Sequence, residues 1–389
     1  MYYVGIDIAK YKHDCCIIDS DKNIIKEPFT FKNDYLGFKE LQTVLDSLDS
    51  NSSIKIGFES TAHYSTNLKL FLHKAHYNFM EFNPLLLHNF ISSHSLRKTK
   101  TDKIDCKAIA SWLTTVEFKP HPTQFYHIYS LKSFTRMYSY FMSQRTMAMC
   151  KLTNVLDHIF PEFKPFFDDK FTSTGLYILQ HFPSPEKIIN ISDEDFISIK
   201  KKSRGHFTPN KLLKLKELAK NTVGCCNVLF EIELVSLLSL YFECDRQVDY
   251  YDDKIKIIID TLKPKILSIP GIGYITAATL IAEIGDFNKF NSADKILAFA
   301  GLEPGHYQSG TKETEGKMTK HGSHQLHYAL INAVLPLINY NMIFASYYHK
   351  KRSEGKTHYC ACSHTVRKFL RLAYTLETKQ INFDVKLLR

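Results

Sequence analysis

An α/β amino-terminal domain followed by a mainly helical remainder is the fold class this sequence predicts, and three observations predict it. Residues 2–31 alternate apolar and polar positions around turn residues, as short strands do. From Leu131 the apolar positions recur at intervals of three and four, the period of a helix. From Leu267 onward, turns marked by Gly and Pro separate further apolar helical stretches. At 389 residues and 44% apolar content, the chain has length and core for two or three domains.

The elements follow in order. Residues 2–9, 13–18 and 24–31 read as an antiparallel meander, with the second turn carried by Asp19-Ser20-Asp21-Lys22-Asn23. Asn33 is the expected cap of a helix through residue 48, on which Phe38, Leu41, Val44, Leu45 and Leu48 share a face. A strand over 54–58, a helix over 65–75 and a strand over 77–82 come next, ended by Asn83-Pro84. A meander followed by alternating helix and strand is the arrangement of a ribonuclease H-like domain, expected here over 1–125 and completed by a helix over 102–115.

Residues 126–264 are expected to form a helical, coiled-coil region. One run of helical spacing joins Leu131, Phe134, Tyr138, Phe141, Arg145, Ala148, Leu152, Val155 and Ile159, with a charge at Arg145. A second joins Leu234, Leu237, Tyr241, Cys244, Val248, Tyr251, Ile255, Ile258 and Leu262 over four heptads. A plain bundle core gives the same spacing, and pairing within the chain or across subunits is left open. Between the runs, Lys200-Lys201-Lys202-Ser203-Arg204 fits a solvated loop as well as a phosphate contact.

Residues 265–389 are expected to form a mainly helical carboxy-terminal domain. Pro270-Gly271-Ile272-Gly273 opens a helix like the hairpin of helix-hairpin-helix modules, whose backbone N–H groups face a phosphate; an ordinary tight turn uses the same residues. Ser309 stands beside Gly310 in an expected loop with Lys317, Lys320 and His321-Gly322 downstream, the setting of a nucleophile held against a phosphate or of a common loop serine. A helix over 325–337 and a last helix after Gly355-Lys356-Thr357 complete the chain.

Composition narrows the classes. The net charge of +10 favours an anionic partner such as nucleic acid. Nine cysteines, an odd number with no Cys-x-x-Cys, read as buried thiols. Cys360, Cys362 and His364 are poorly spaced for zinc, because positions i and i+2 leave different sides of a helix. The first residues lack the basic and long apolar regions of a signal peptide, and 266–285 is interrupted by Pro, Gly and Glu, so a cytoplasmic protein without membrane spans is expected.

The chemistry concentrates in Arg97-Lys98-Thr99-Lys100-Thr101-Asp102-Lys103-Ile104-Asp105-Cys106-Lys107. A helix starting near Thr101 puts Asp102 and Asp105 on one face of its first turn. Asp7 lies in the first strand and Glu59 follows the fourth, so one sheet can aim all four acids at one point. Four close carboxylates need cations, and a hard divalent ion with oxygen ligands serves. Arg97, Lys98, Lys100 and Lys103 beside them suit a polyanion, and carboxylates holding Mg²⁺ beside a basic strip outline a site for phosphodiester chemistry. The Asp-x-x-Asp pair taken alone fits a cap on a solvated helix equally well.

Asp7, Glu59, Asp102 and Asp105, followed by Pro270-Gly271-Ile272-Gly273 and by Gly301-x-x-Pro304 with Ser309-Gly310, resemble the IS110 family of insertion-sequence transposases, relatives of the Piv DNA invertases and guided by a bridge RNA. The resemblance covers nearly the whole chain, through Gly5-Ile6-Asp7, Glu59-Ser60-Thr61 and Lys320-His321-Gly322. It implies a RuvC-like domain whose DEDD tetrad (Asp7, Glu59, Asp102, Asp105) holds Mg²⁺, and a carboxy-terminal transposase domain whose nucleophile is Ser309. The Pro-Gly-Ile-Gly turn and the downstream cation give the expected nucleic-acid contacts at Gly271, Gly273 and Lys320, and the resemblance further implies donor and target DNA selected by a structured noncoding RNA. Assembly is expected as a dimer or tetramer, with a coiled coil between the domains and an active site shared between subunits, at the nucleoid of a prokaryote. His327 departs from the family, where many members have Arg. The alternatives are a Mg²⁺-dependent RuvC-type nuclease or Holliday-junction resolvase in which water attacks, and a nucleic-acid-binding scaffold with a decayed site.

Overall fold

The computed structural model describes residues 1–49, 53–59, 63–82, 87, 90, 102–121, 125–168, 171–225, 227–309, 312–318 and 322–388, with only the backbone course given for 102, 125–127, 304–309, 312–318 and 387–388. The chain divides into two compact units, Met1–Phe125 and Tyr126–Arg389.

The first unit contains β1 (Tyr2–Ile8), β2 (Lys12–Asp19), β3 (Ile24–Lys32), α1 (Tyr35–Asp46), β4 (Ile54–Glu59), α2 (Thr66–Lys74), β5 (Phe79–Phe82) and α3 (Asp102–Leu113). Its five strands form one mixed sheet in the order β3-β2-β1-β4-β5. β1–β2 and β2–β3 are antiparallel, whereas β1–β4 and β4–β5 are parallel. That is the meander-then-crossover arrangement expected of a ribonuclease H-like domain. Alternation decides the two faces. Val4, Ile6, Cys15, Ile17, Phe31, Ile56 and Phe58 face Leu41 and Leu45 of α1 and Leu68 and Leu72 of α2 in one core. Cys16 and Ile18 pack on Cys106 and Ala110 of α3, while Phe82 packs on Ile109 and Leu113.

The cap of α1 differs from expectation. Asp34, not Asn33, accepts from the Gly37 backbone N–H at 2.8 Å. Asn33 instead donates its side-chain amide to the Lys10 carbonyl at 3.1 Å, and its backbone N–H to that of Tyr11.

The second unit is built on two helices of 35 residues, α4 (Phe125–Ile159) and α10 (Val228–Leu262). Between them lie α5 (Phe163–Phe166), α6 (Ser173–His181), α7 (Pro185–Ile189), α8 (Asp193–Lys202) and α9 (Pro209–Lys220). After them come α11 (Tyr274–Ile284), α12 (Ala293–Phe299), the hairpin β6 (Pro304–Ser309) and β7 (Lys312–Met318), α13 (His324–Asn332), α14 (Val334–Tyr340), α15 (Met342–Ser353) and α16 (His358–Lys379). The two long helices pair within the chain, antiparallel. Leu131 of α4 shares a core with Ile255 and Ile259, and Leu152 shares another with Leu234 and Leu238. Arg145, the charge that interrupts the apolar run, pairs with Asp245 of α10 at 2.5 Å. Tyr251 lies between Phe134 and Phe141, with both ring centroids 5.8 Å away.

No single helix among the described residues is long and apolar enough to cross a membrane. Lys200, Lys201, Lys202 and Arg204 are exposed at the end of α8 and in the turn after it.

Candidate active site

The sheet brings Asp7 and Glu59 to the same end of two adjacent inner strands. β1 and β4 stay in parallel register from Tyr2 opposite Ile54 to Ile6 opposite Phe58, so Asp7 and Glu59 are the next residue on each strand. Both acids stand two residues beyond a glycine that lies under α3. A Cβ on Gly5 would lie 2.3 Å from the Cys106 carbonyl oxygen and 2.4 Å from the Ala110 nitrogen; one on Gly57 would lie 2.8 Å from Cδ1 of Leu113. Alternation therefore sends Asp7 and Glu59 out on the face that α3 covers. Asp105 directly precedes Cys106, so the first turn of α3 approaches the strand that carries Asp7. Asp7, Glu59 and Asp105 are all half-buried.

Asp102 is the first residue of α3, and its side chain lies outside the described residues. Among the described residues no three Asp, Glu, His or Cys side chains stand close enough to share an ion. Asp7, Glu59 and Asp105 thus share a face without forming a common coordination sphere. Their all-carboxylate donor set, drawn from two strand ends and a helix start, fits a hard divalent cation in kind. Lys103 is exposed on α3; Arg97, Lys98 and Lys100 lie outside the described residues.

Sequence reasoning missed Asp14, which lies directly opposite Asp7 in the β1–β2 register and is 3% exposed. Counting back through the expected meander from a short turn after residue 9 was the signal that could have found it.

In the helical unit Ser309 ends β6, opposite Lys312 of β7, instead of standing in a loop as the Gly-rich sequence suggested. Its side chain lies outside the described residues, as does all of Lys320. The Pro-Gly-Ile-Gly turn has two unlike glycines. Gly271, at φ +96°, packs on α14, where a Cβ would lie 2.6 Å from the Pro336 carbonyl oxygen. Gly273 precedes α11 and is exposed, with nothing within 4 Å of where a Cβ would stand.

Glu283 is the second residue that the sequence reading passed over. It sits near the end of α11 with a side chain only 1% exposed, at the edge of a cleft of about 480 Å³ between α4, α11 and α13. Arg136 Nε donates to one carboxylate oxygen at 3.0 Å and Arg136 Nη2 to the other at 3.3 Å, with Lys132 Nζ also 3.3 Å away. The Ser323 hydroxyl donates to it at 3.0 Å and accepts from the Leu326 backbone as the cap of α13. Glu283 thereby ties α4 to the residue where the chain enters α13 after the β6–β7 hairpin.

Burial pushes the Glu283 carboxyl up, but the Arg136 hydrogen bonds, the Lys132 charge and Ser323 outweigh it, so the carboxyl titrates below the ordinary glutamate range. A carboxylate depressed in the folded state contributes stability that is present above the ordinary glutamate range and lost as pH falls through the folded value. Glu283→Gln is expected to cost roughly 1.5–3 kcal/mol near neutral pH, the scale of hydrogen bonds to a charged group. The deficit should shrink in acid, as urea denaturation of both proteins across that range will measure.

Residues 4–161 match the DEDD transposase domain of the IS110 type, and residues 263–349 match the Transposase IS116/IS110/IS902 family. The chain is 23% identical over 388 residues to the pilin gene-inverting protein of Moraxella lacunata, covering 99% of this chain and 98% of that protein. It is 22% identical over 401 residues to the mini-circle putative transposase for IS117 of Streptomyces coelicolor, covering 98% and 95%. With the transposase for insertion sequence element IS1111A of Coxiella burnetii it shares 31% identity over 98 residues, 25% of this chain and 27% of that one.

Proposed function

We propose, for a chain that belongs to the IS110 family of transposases, that strand transfer runs through a phosphoserine at Ser309 beside Mg²⁺ held by Asp7, Glu59, Asp102 and Asp105. The observation that carries the reading is the placement of Asp7 and Glu59 at the same end of two adjacent inner strands, on the face covered by the helix that begins with Asp102 and Asp105.

The Ser309 hydroxyl is a weak nucleophile at neutral pH and must lose its proton as it attacks. Its Oγ forms a bond to phosphorus as the bond to the DNA 3′ oxygen breaks, and a tetrad carboxylate takes the proton. The 3′ oxygen leaves as a hydroxyl after receiving a proton in turn. A bound divalent ion supplies charge neutralisation on the phosphate and lowers the pKa of the attacking hydroxyl. The phosphoserine conserves the phosphodiester, so a second 3′-OH can displace Ser309 and rejoin DNA without ATP. Recombination therefore follows more naturally than hydrolysis, in keeping with a relative named for inverting a gene, an outcome that requires rejoining.

Lys103 of α3, with Arg97, Lys98 and Lys100, contacts the phosphates of donor and target DNA; Gly271 and Gly273 in the turn before α11, together with Lys320, contribute in the helical unit. A structured bridge RNA selects both DNAs by base pairing, the logic by which guided nucleases delegate sequence choice. The protein works at the nucleoid as a dimer or tetramer, with tetrad and serine from different subunits. Val228, Leu229 and Ile232, 58–71% exposed on the first turns of α10, support a helical partner there, a coiled coil across subunits.

The test is strand exchange between donor and target DNA by protein purified with its RNA. Exchange is expected to stop on chelation, resume with Mg²⁺, and depend on one discrete copurified RNA. Exchange that persists in a chelator refutes the metal, and active protein free of discrete RNA refutes guidance.

A further inference from the structure

We infer that Asp14 is a fifth anion of the carboxylate site, a positioning residue that strengthens its hold on a divalent cation. The inference rests on the metal reading proposed above and adds a residue to it.

The geometry is that of an antiparallel pair. Gly5 is opposite Cys16, and both lie under α3; two residues along, Asp7 is opposite Asp14. Directly opposed residues hold their Cβ atoms about 4.5–5.5 Å apart, and like charges so placed repel. Asp14 is 3% exposed, and the hydroxyl of Thr30, its partner on β3, donates to Oδ1 at 2.5 Å. Among the described residues it makes no ion pair and accepts no other side-chain hydrogen bond. A buried carboxylate without a cation is costly, and the cost rises with a second carboxylate across the strand. A structural role does not call for a charge here, because asparagine has the same shape and accepts the same Thr30 bond. One divalent ion at the tetrad offsets both penalties, and the negative charge of Asp14 in turn raises affinity for that ion without direct coordination.

The test compares Mn²⁺ binding to full-length wild type, Asp14→Asn and Asp7→Asn, by titration calorimetry and by the paramagnetic resonance signal of free Mn²⁺. Melting temperatures without metal are measured alongside. Asp14→Asn should bind roughly 10–100-fold more weakly, the range for residues that support metal ligands, while its metal-free melting temperature holds or rises. Unchanged affinity overturns the inference. So does weaker binding with a lower metal-free melting temperature, which would make Asp14 a folding residue. Asp7→Asn separates the two levels: if it binds Mn²⁺ as tightly as wild type, the tetrad reading itself fails and Asp14 falls with it. If Asp7→Asn loses the ion and Asp14→Asn keeps it, the tetrad stands and only the fifth anion is refuted.

Discussion

Ser309→Ala is expected to abolish strand exchange and the covalent protein–DNA adduct while leaving the fold and DNA binding intact. The residue ends β6, where alanine is tolerated by the backbone, so the change removes a hydroxyl and little else. Loss of a nucleophile that acts together with its activating groups lowers turnover by about 10⁴–10⁶-fold, and what remains reflects binding alone. A denaturing gel of protein incubated with end-labelled DNA reads the adduct directly, and a strand-exchange assay reads the rate. Cleavage by Ser309→Ala near the wild-type rate would show water to be the nucleophile, as in a RuvC-type nuclease or junction resolvase. The result thus decides between transfer through the protein and simple hydrolysis.

Gly5→Ala is expected to cost roughly 3 kcal/mol, the upper range for forcing atoms into a filled space, and to silence the site as well. The added Cβ would meet backbone atoms of Cys106 and Ala110 at 2.3 and 2.4 Å, and backbone within a helix cannot turn aside. Helix α3 must lift or shift, carrying Asp105 with it and Asp102 one turn before. Gly57→Ala makes the informative contrast. Its Cβ would meet side-chain atoms of Leu113 and Phe82 at 2.8 Å, which can rotate, so a penalty of about 1 kcal/mol is expected. Denaturant unfolding and Mn²⁺ titration of both variants check the order. Equal stability and equal ion affinity for Gly5→Ala and wild type would contradict the close seating of α3.

These predictions depend on features that the sequence exposes unevenly. The meander was legible because apolar alternation and the Asp19–Asn23 turn are local, and the turn closes as its residues suggest: Asp19 accepts from the backbone N–H groups of Asp21 and Asn23. The position of Asp102 and Asp105 at a helix start was legible for the same reason. Asp34 and Asn33 are both cap formers, and the choice fell to a tertiary contact, Asn33 with the Lys10 carbonyl. The expected helix over 325–337 is divided between α13 and α14 around Ala333, where the Pro336 ring would crowd the Asn332 carbonyl in a continuous helix.

Asp14 escaped because one carboxylate inside a strand reads as the polar half of an alternation; only the strand pairing reveals that it meets a second. Glu283 escaped because its cations lie on α4, almost 150 residues earlier. Arg145 interrupts an apolar run in the sequence, and its partner Asp245 lies on the other long helix. Glu283 and Arg145 form long-range pairings, and hydrophobic period carries no record of which distant element will lie alongside.

The most direct test of the account is a structure of the protein assembled with its RNA and DNA in Mn²⁺, with the metal located by anomalous scattering. The account predicts density for an ion about 2.0–2.2 Å from carboxylate oxygens of Asp7, Glu59, Asp102 and Asp105, the spacing of a small hard cation, with the Ser309 hydroxyl facing the same phosphate. An ion bound elsewhere in the assembled complex, or Asp7, Glu59 and Asp105 still apart with no ion among them, would contradict it.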